Sequence, residues 1–143
     1  MLKRFTYKPG YSDMRGAHQE TSLLLDESGT YRIIDRNREH FGLPTVVKTY
    51  AVSGDVDAFE AFLLRKIAPL RFRLKNSLFA TDYSPWRLSA DFAEENGKKP
   101  RIEEFSIGQY RIYTKKDMAL LDEAKKRFES LRGELLSETA EEE

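Results

Sequence analysis

The sequence predicts an α+β fold in a single domain: a mainly antiparallel sheet with two main helices packed on one face. Short β-prone runs separated by turn residues fill the first half of the chain. Two later segments repeat apolar residues at helical spacing. The chain has 143 residues, 40% of them hydrophobic, and no cysteine. A chain of this length can bury a core without a metal or a disulfide.

Four β-prone runs in the first half are predicted to be strands. They are Lys3–Tyr7, His18–Leu25, Tyr31–Arg36 and Thr45–Val52. Residues 26–30 contain Gly29 and separate the second run from the third, as in a hairpin. The fourth run carries apolar residues on both faces, which is typical of an inner strand.

The first helix is predicted to begin at Asp55 or Asp57, since either carboxylate can cap the exposed N–H groups of a first turn. Pro69 predicts that the helix ends at about Ala68. Its buried stripe has helical spacing. The stripe consists of Val56, Phe59, Leu63 and Ile67.

The last helix is predicted to begin after the N-cap Thr114 and to run as far as Leu135. Apolar residues recur at helical spacing along it, as on a helix that packs against its own sheet. They are Met118, Leu121, Ala124, Phe128, Leu131 and Leu135. An alternative remains open, in which the part beyond Gly133 forms a dimer contact. The domain is expected to span residues 1–136, and the acidic tail 137–143 is expected to be frayed.

Between the helices, Trp86–Phe92 alternates apolar and polar residues, as a half-buried strand does. Ile102–Ile107 is its expected partner. Gly108-Gln109 then predicts either a type II′ hairpin or a loop into the last helix. Arg71–Ser77 fits either a strand or an irregular crossing segment.

The motifs of common catalytic sites are missing from the sequence. It contains neither a phosphate-binding glycine loop nor a serine-nucleophile motif. His18 and Glu20 fall on one strand face and could share a zinc ion, but a structural or exposed role is favoured over a metal site. His40 has no ligand spacing. We therefore expect no metal and no cofactor, and we do not predict an enzyme.

Two sets of residues are candidate binding groups. A basic run follows the first helix, and its members could contact the phosphates of a nucleic acid. They are Arg71, Arg73 and Lys75, preceded by Arg65 and Lys66. The second set could form a polar cleft for a small ligand or a substrate. It consists of Trp86, Arg87, Asp82 and Asp91.

Several short motifs give the chain a resemblance to a group of small uncharacterised bacterial proteins. They are Gly10 with Met14-Arg15-Gly16, the Trp86–Phe92 strand, Gly97, and Gly108-Gln109-Tyr110 before the last helix. The resemblance covers most of the chain and implies a single α+β domain of bacterial origin. It implies no activity and no functional residue. Tyr113-Thr114 stands where such proteins have an aromatic residue and a proline, which is a departure.

From these observations we expect a non-enzymatic binding or protein-interaction module. An unknown protein partner or self-association is the leading expectation, ahead of a small molecule. A nucleic acid is not favoured, because the formal net charge is zero. The N-terminus lacks the apolar run of a signal peptide, and no stretch reaches membrane-spanning length, so a cytoplasmic location without membrane contact is expected.

Overall fold

The computed structural model describes residues 1–9, 17–40, 42–70, 73–74, 86–93, 101–107, 111–112 and 114–141. Of residues 73–74, 86, 101–107 and 111–112 it describes the backbone alone. The strands are β1 (Leu2–Lys8), β2 (His18–Leu25), β3 (Tyr31–Arg38), β4 (Thr45–Val52), β5 (Arg73–Leu74), β6 (Trp86–Phe92), β7 (Arg101–Ile107), β8 (Arg111–Ile112) and β9 (Arg132–Glu141). The helices are α1 (Val56–Phe62), which continues as the π-helical segment Leu63–Ile67, and α2 (Lys115–Glu129).

Seven antiparallel strands form the main sheet in the order β7-β6-β1-β2-β3-β4-β9. Strands β1–β4 form a meander. Strand β6 then pairs with β1 on one side of it, and β9 pairs with β4 on the other. Both helices pack on one face, where the Phe5 ring of β1 contacts Phe59 of α1 and Phe128 of α2. The predicted α+β class, with an antiparallel sheet and two main helices, is therefore confirmed.

The core lies between this helix-side face and the two helices. Its largest fully buried side chains are Phe5, Leu2, Leu23, Ile33, Leu88 and Leu121. On β6 the residues Leu88, Ala90 and Phe92 are buried, whereas Arg87 is exposed. The alternation predicted for this strand is thus observed. The strand also pairs with β7, which contains the predicted partner segment Ile102–Ile107.

The β2–β3 hairpin closes through a turn organised by Asp26. Its carboxylate accepts hydrogen bonds from the Ser28 hydroxyl at 2.6 Å, the Ser28 amide at 2.9 Å and the Thr30 amide at 2.9 Å. The bond from the Ser28 hydroxyl and that from the Thr30 amide are the main reasons why the pKa of Asp26 lies below its ordinary value of 3.8. The hairpin predicted around residues 26–30 is confirmed.

Helix α1 begins where an aspartate caps it. The Asp55 Oδ1 atom accepts a hydrogen bond from the Ala58 amide at 3.1 Å, so Asp55 is the N-cap and Asp57 lies in the first turn. The last turns widen into the π-helical segment, in which the Ala68 amide donates to the Leu63 carbonyl at 2.8 Å. The helical run ends at the predicted place, directly before Pro69.

Helix α2 begins as predicted but ends earlier. The Thr114 hydroxyl accepts a hydrogen bond from the Asp117 amide at 3.1 Å. The helix ends at Glu129 rather than continuing to Leu135, and the chain turns into β9. Gly133 allows the start of β9 to lie close to β4: a Cβ atom there would lie 2.8 Å from the carbonyl oxygen of Ala51, so only glycine fits so close to the end of β4.

The C-terminal segment is a strand rather than a frayed tail. β9 extends to Glu141 and pairs with β4, so that Thr49 faces Ser137 and Thr45 faces Glu141. Backbone hydrogen bonding to β4 orders this segment even though its side chains are exposed and acidic. The prediction of a helix as far as Leu135 is therefore wrong.

The short strand β8 pairs with β5, with Arg73 opposite Ile112. This pairing differs from the predicted hairpin, in which the residues after Gly108-Gln109 return along β7. Residues 108–110 themselves lie outside the described residues. Of the ambiguous segment Arg71–Ser77, the structure describes Arg73 and Leu74 as a strand.

Candidate functional site

The face of the main sheet opposite the helices is strongly basic. We define the open face as the side chains of β1–β4 and β6 that lie on this opposite side, as the strand registers place them. Its cationic members are Arg4, Lys8, Arg32, Arg36, Arg38 and Arg87. Its carboxylates are Glu20 and Asp91. On these five strands six cations stand against two carboxylates, and the neighbouring strand β9 adds Glu141 on the same side, opposite Thr45. The surface keeps a positive excess that the neutral chain as a whole lacks.

The strand registers bring these cations from separate parts of the chain into neighbouring positions. Arg87 of β6 lies opposite Lys8 of β1. Arg36 of β3 lies opposite Glu20 of β2, and Arg38 lies opposite His18. Neighbouring strands are about 4.8 Å apart and alternate residues about 6.6 Å apart along a strand, so the charged groups form a two-dimensional array.

Glu20 is the centre of a small polar cluster on the open face. Its Oε2 atom lies 3.6 Å from His18 Nε2 and 3.8 Å from Lys8 Nζ. Its Oε1 atom accepts a hydrogen bond from the Ser22 hydroxyl at 3.4 Å, and Ser22 in turn contacts the Thr6 hydroxyl at 3.1 Å. Glu20 therefore offsets part of the local positive charge and holds Lys8 close to the sheet.

The pair of His18 and Glu20 was the candidate for a zinc ion. The two side chains do approach each other, as their shared strand face requires. Among the described side chains, however, no group of three histidines or carboxylates lies close enough to hold a metal ion. A pair of ligands alone is not a zinc site of the known kinds.

Arg4 and Arg36 differ from Lys8 in their surroundings. Arg4 faces Asp91 across β1 and β6, and Arg36 faces Glu20 across β2 and β3. Within the described part of the chain, neither guanidinium takes part in an ion pair. Their donors are therefore available to an anion that reaches this surface.

Aliphatic side chains lie among these cations. Leu24 and Ile34 are half-buried on the open face, and Val47 is buried there. The tyrosines of these strands lie on the other face, since Tyr7, Tyr31 and Tyr50 pack against the core beneath the helices. The described part of the open face thus combines guanidinium groups with aliphatic carbon and carries no aromatic ring.

The structure tests only part of the predicted site. Arg87 is exposed and Asp91 is half-buried, and both lie on the open face, four residues apart on β6. Trp86 and Arg73 are described by their backbone alone, in β6 and β5. The remaining candidates lie outside the described residues. They are Arg71, Lys75 and Asp82.

Sequence reasoning missed the larger part of the basic array. Arg32, Arg36 and Arg38 have the same parity along β3, and Arg4 and Lys8 have the same parity along β1. Because residues of one parity share a strand face, this spacing was a usable signal. The prediction instead concentrated on the basic run after α1, of which Arg65 and Lys66 are exposed at the end of the helix.

Comparison with protein-family models, with curated proteins and with solved structures gave no match. The resemblance to small bacterial proteins therefore stays a prediction from short motifs. Within the part of the chain that the structure describes, neither helix has the length and apolar character needed to cross a membrane.

Proposed function

We propose that this protein is a non-enzymatic interaction module that binds an acidic segment of a protein partner on the open face. The observation that supports the proposal most directly is the charge asymmetry of the sheet. Six cations and two carboxylates lie on the five strands of the open face, beside Glu141 of β9, in a chain with zero net charge. Such a face attracts anionic partners and orients them as they approach.

The chemistry of the open face favours a peptide over a nucleic acid. Sequence-tolerant binding of single strands relies on aromatic rings that stack on bases. The described open face offers Leu24, Ile34 and Val47 instead, which suit the aliphatic side chains of a polypeptide. Arginine is also the charged residue most enriched at protein interfaces.

The size of the open face favours an extended segment over a folded partner. Five strands at about 4.8 Å spacing and seven residues at about 3.3 Å each span roughly 550 Å². A standard interface between folded proteins buries about 800 Å² on each partner. A short acidic segment laid across the strands therefore matches the available surface.

The proposal is tested with a fluorescein-labelled peptide of twelve glutamates, its binding followed by anisotropy. We expect Arg36→Gln to weaken binding about threefold to tenfold. Lys126→Gln removes the same charge from an exposed position of α2, on the other side of the sheet, and is the matched control that should bind as the wild type does. Binding should also weaken as the salt concentration rises.

If Arg36→Gln bound the acidic peptide as tightly as the wild-type protein does, the proposal that the peptide binds on the open face would be wrong. An oligouridylate of equal length is the competing probe. If it binds more tightly than the acidic peptide and Arg36→Gln weakens it, the open face is a nucleic-acid surface, and the protein-segment proposal is wrong.

A further inference from the structure

A row of polar residues crosses the helix-side face beyond the end of α2. Each member lies opposite the next across neighbouring strands. In order the row is Thr21, Asp35, Lys48 and Glu138. The residues next to it on the same face, towards the helices, are Leu23, Ile33, Tyr50 and Leu135. Four strands thus change from mainly apolar to polar residues at the same level.

A cleft of about 280 Å³ lies at this boundary. The sheet contributes Thr21 and Ile33 to its lining, and the end of α2 contributes Phe128 and Glu129. Arg132 lines it from the first position of β9. The volume is just below the range of about 300–1,000 Å³ for drug-sized ligands, so the cleft suits a small metabolite.

The floor of the cleft is buried. Thr21 is only 5% exposed, and its hydroxyl donates to Asp35 Oδ1 at 3.4 Å. Ile33 and Phe128 border the cleft at its base, where their side chains are 1% and 2% exposed, so only a small part of each can touch a ligand. A ligand there would meet aliphatic and aromatic carbon below and charged groups at the rim.

The rim carries charges of both signs. Arg132 is exposed, and its guanidinium carbon lies 4.8 Å from the centre of the Tyr50 ring. Stacking of the guanidinium face on a ring leaves its N–H edge free to hold a carboxylate with two parallel hydrogen bonds. Glu129 is the last residue of α2, at the negative end of the helix dipole, so this side of the rim favours a cation.

We propose that this cleft binds a small zwitterion, an α-amino acid with an apolar side chain. Arg132 takes the carboxylate, and Glu129 takes the ammonium group. The side chain lies on Ile33 and Phe128. The site is separate from the open face, because it lies on the opposite side of the sheet.

The proposal is tested by isothermal titration of the full chain with L-leucine and with two analogues. 4-Methylpentanoate lacks the ammonium group, and 3-methylbutylamine lacks the carboxylate. We expect L-leucine to bind at least about tenfold more tightly than either analogue, because each analogue leaves one charged group of the rim without its partner.

Two variants test whether L-leucine binds in the cleft. Arg132→Gln and Glu129→Gln should each weaken L-leucine binding about tenfold. Both residues are exposed, so the fold should persist, and a thermal melt checks this. Arg36→Gln on the open face is the control and should bind L-leucine as the wild type does.

Equal affinity for L-leucine and its two analogues would overturn the proposal, and so would unchanged binding in Arg132→Gln. Absence of binding by L-leucine, L-phenylalanine and L-methionine up to about 10 mM would also overturn it. Loss of acidic-peptide binding in Arg36→Gln would leave this proposal unaffected, so the two proposals fail independently.

Discussion

Phe5 of β1 meets Phe59 of α1 edge to face, with ring centroids 5.0 Å apart and ring planes at 84°. Phe128 of α2 lies 4.9 Å from the same Phe5 ring. One side chain of the sheet thus holds both helices. We expect Phe5→Ala to lower the free energy of unfolding by about 3–5 kcal/mol, as measured by urea denaturation. Leu64→Ala, at a position 38% exposed, should change it by less than about 0.5 kcal/mol.

Gly133→Ala distinguishes a strand from a helix at the C-terminal end of the chain. In β9 the added Cβ meets the Ala51 carbonyl oxygen, so we expect a loss of about 1–3 kcal/mol in a urea melt. Inside a helix the same change would stabilise by about 1 kcal/mol. The sign of the change in the free energy of unfolding therefore distinguishes a strand from a helix at this position. Ser137→Ala, at an exposed position of the same strand, is the control.

Deletion of residues 137–143 tests whether β9 contributes to stability. We expect a loss of about 1–3 kcal/mol, because the backbone hydrogen bonds between this part of β9 and β4 are removed. The full-length chain with Glu138→Gln, Glu141→Gln, Glu142→Gln and Glu143→Gln separates this effect from the removal of negative charge. A truncated protein as stable as the full-length one would show that residues 137–141 add nothing to the sheet.

The start of α1 provides a test of helix capping. Asp55→Ala removes the acceptor of the Ala58 amide and should lower stability by about 1 kcal/mol. Asp57→Ala lies two residues further on and removes only a favourable charge in the first turn, which contributes about 0.3–1 kcal/mol. If the Asp57 variant were the less stable of the two, the cap would be misassigned.

Asp26 should make the stability of the protein depend on pH. Its pKa is lower in the folded chain than in the unfolded chain, so its stabilising effect is fully present above the ordinary pKa of 3.8. The effect is lost as the pH falls through the lowered pKa. We expect Asp26→Asn to be less stable than the wild type at neutral pH, and the difference to shrink in urea melts carried out in acid. Glu27→Gln in the same turn also removes one negative charge, leaves the hydrogen bonds of Asp26 in place, and is the control.

The strands of the first half were predictable because their signals are local. In β4 the sequence predicted Thr45–Val52, and the structure has the same residues. β9 was not predictable in this way. Leu131 and Leu135 continue the helical stripe of α2, and the strand that overrides it, β4, lies far away in the sequence.

The same reasoning applies to the open face. Arg87 and Asp91 were found because β6 alternates clearly between buried and exposed residues. Arg4 and Arg36 were missed because their neighbours depend on strand order. A single sequence does not show that β1 lies between β2 and β6, and so it does not show that basic residues from three strands form one surface.

The pairing of β4 with β9 has a consequence for synthesis on the ribosome. Residues 1–52 contain the whole meander of β1–β4, whose pairings are between consecutive strands and can form while translation continues. The outer side of β4 then stays unpaired until residues 132–141 have emerged. A nascent chain of this protein therefore carries an open strand edge through most of its translation, and this edge is where a chaperone or a second nascent chain would attach.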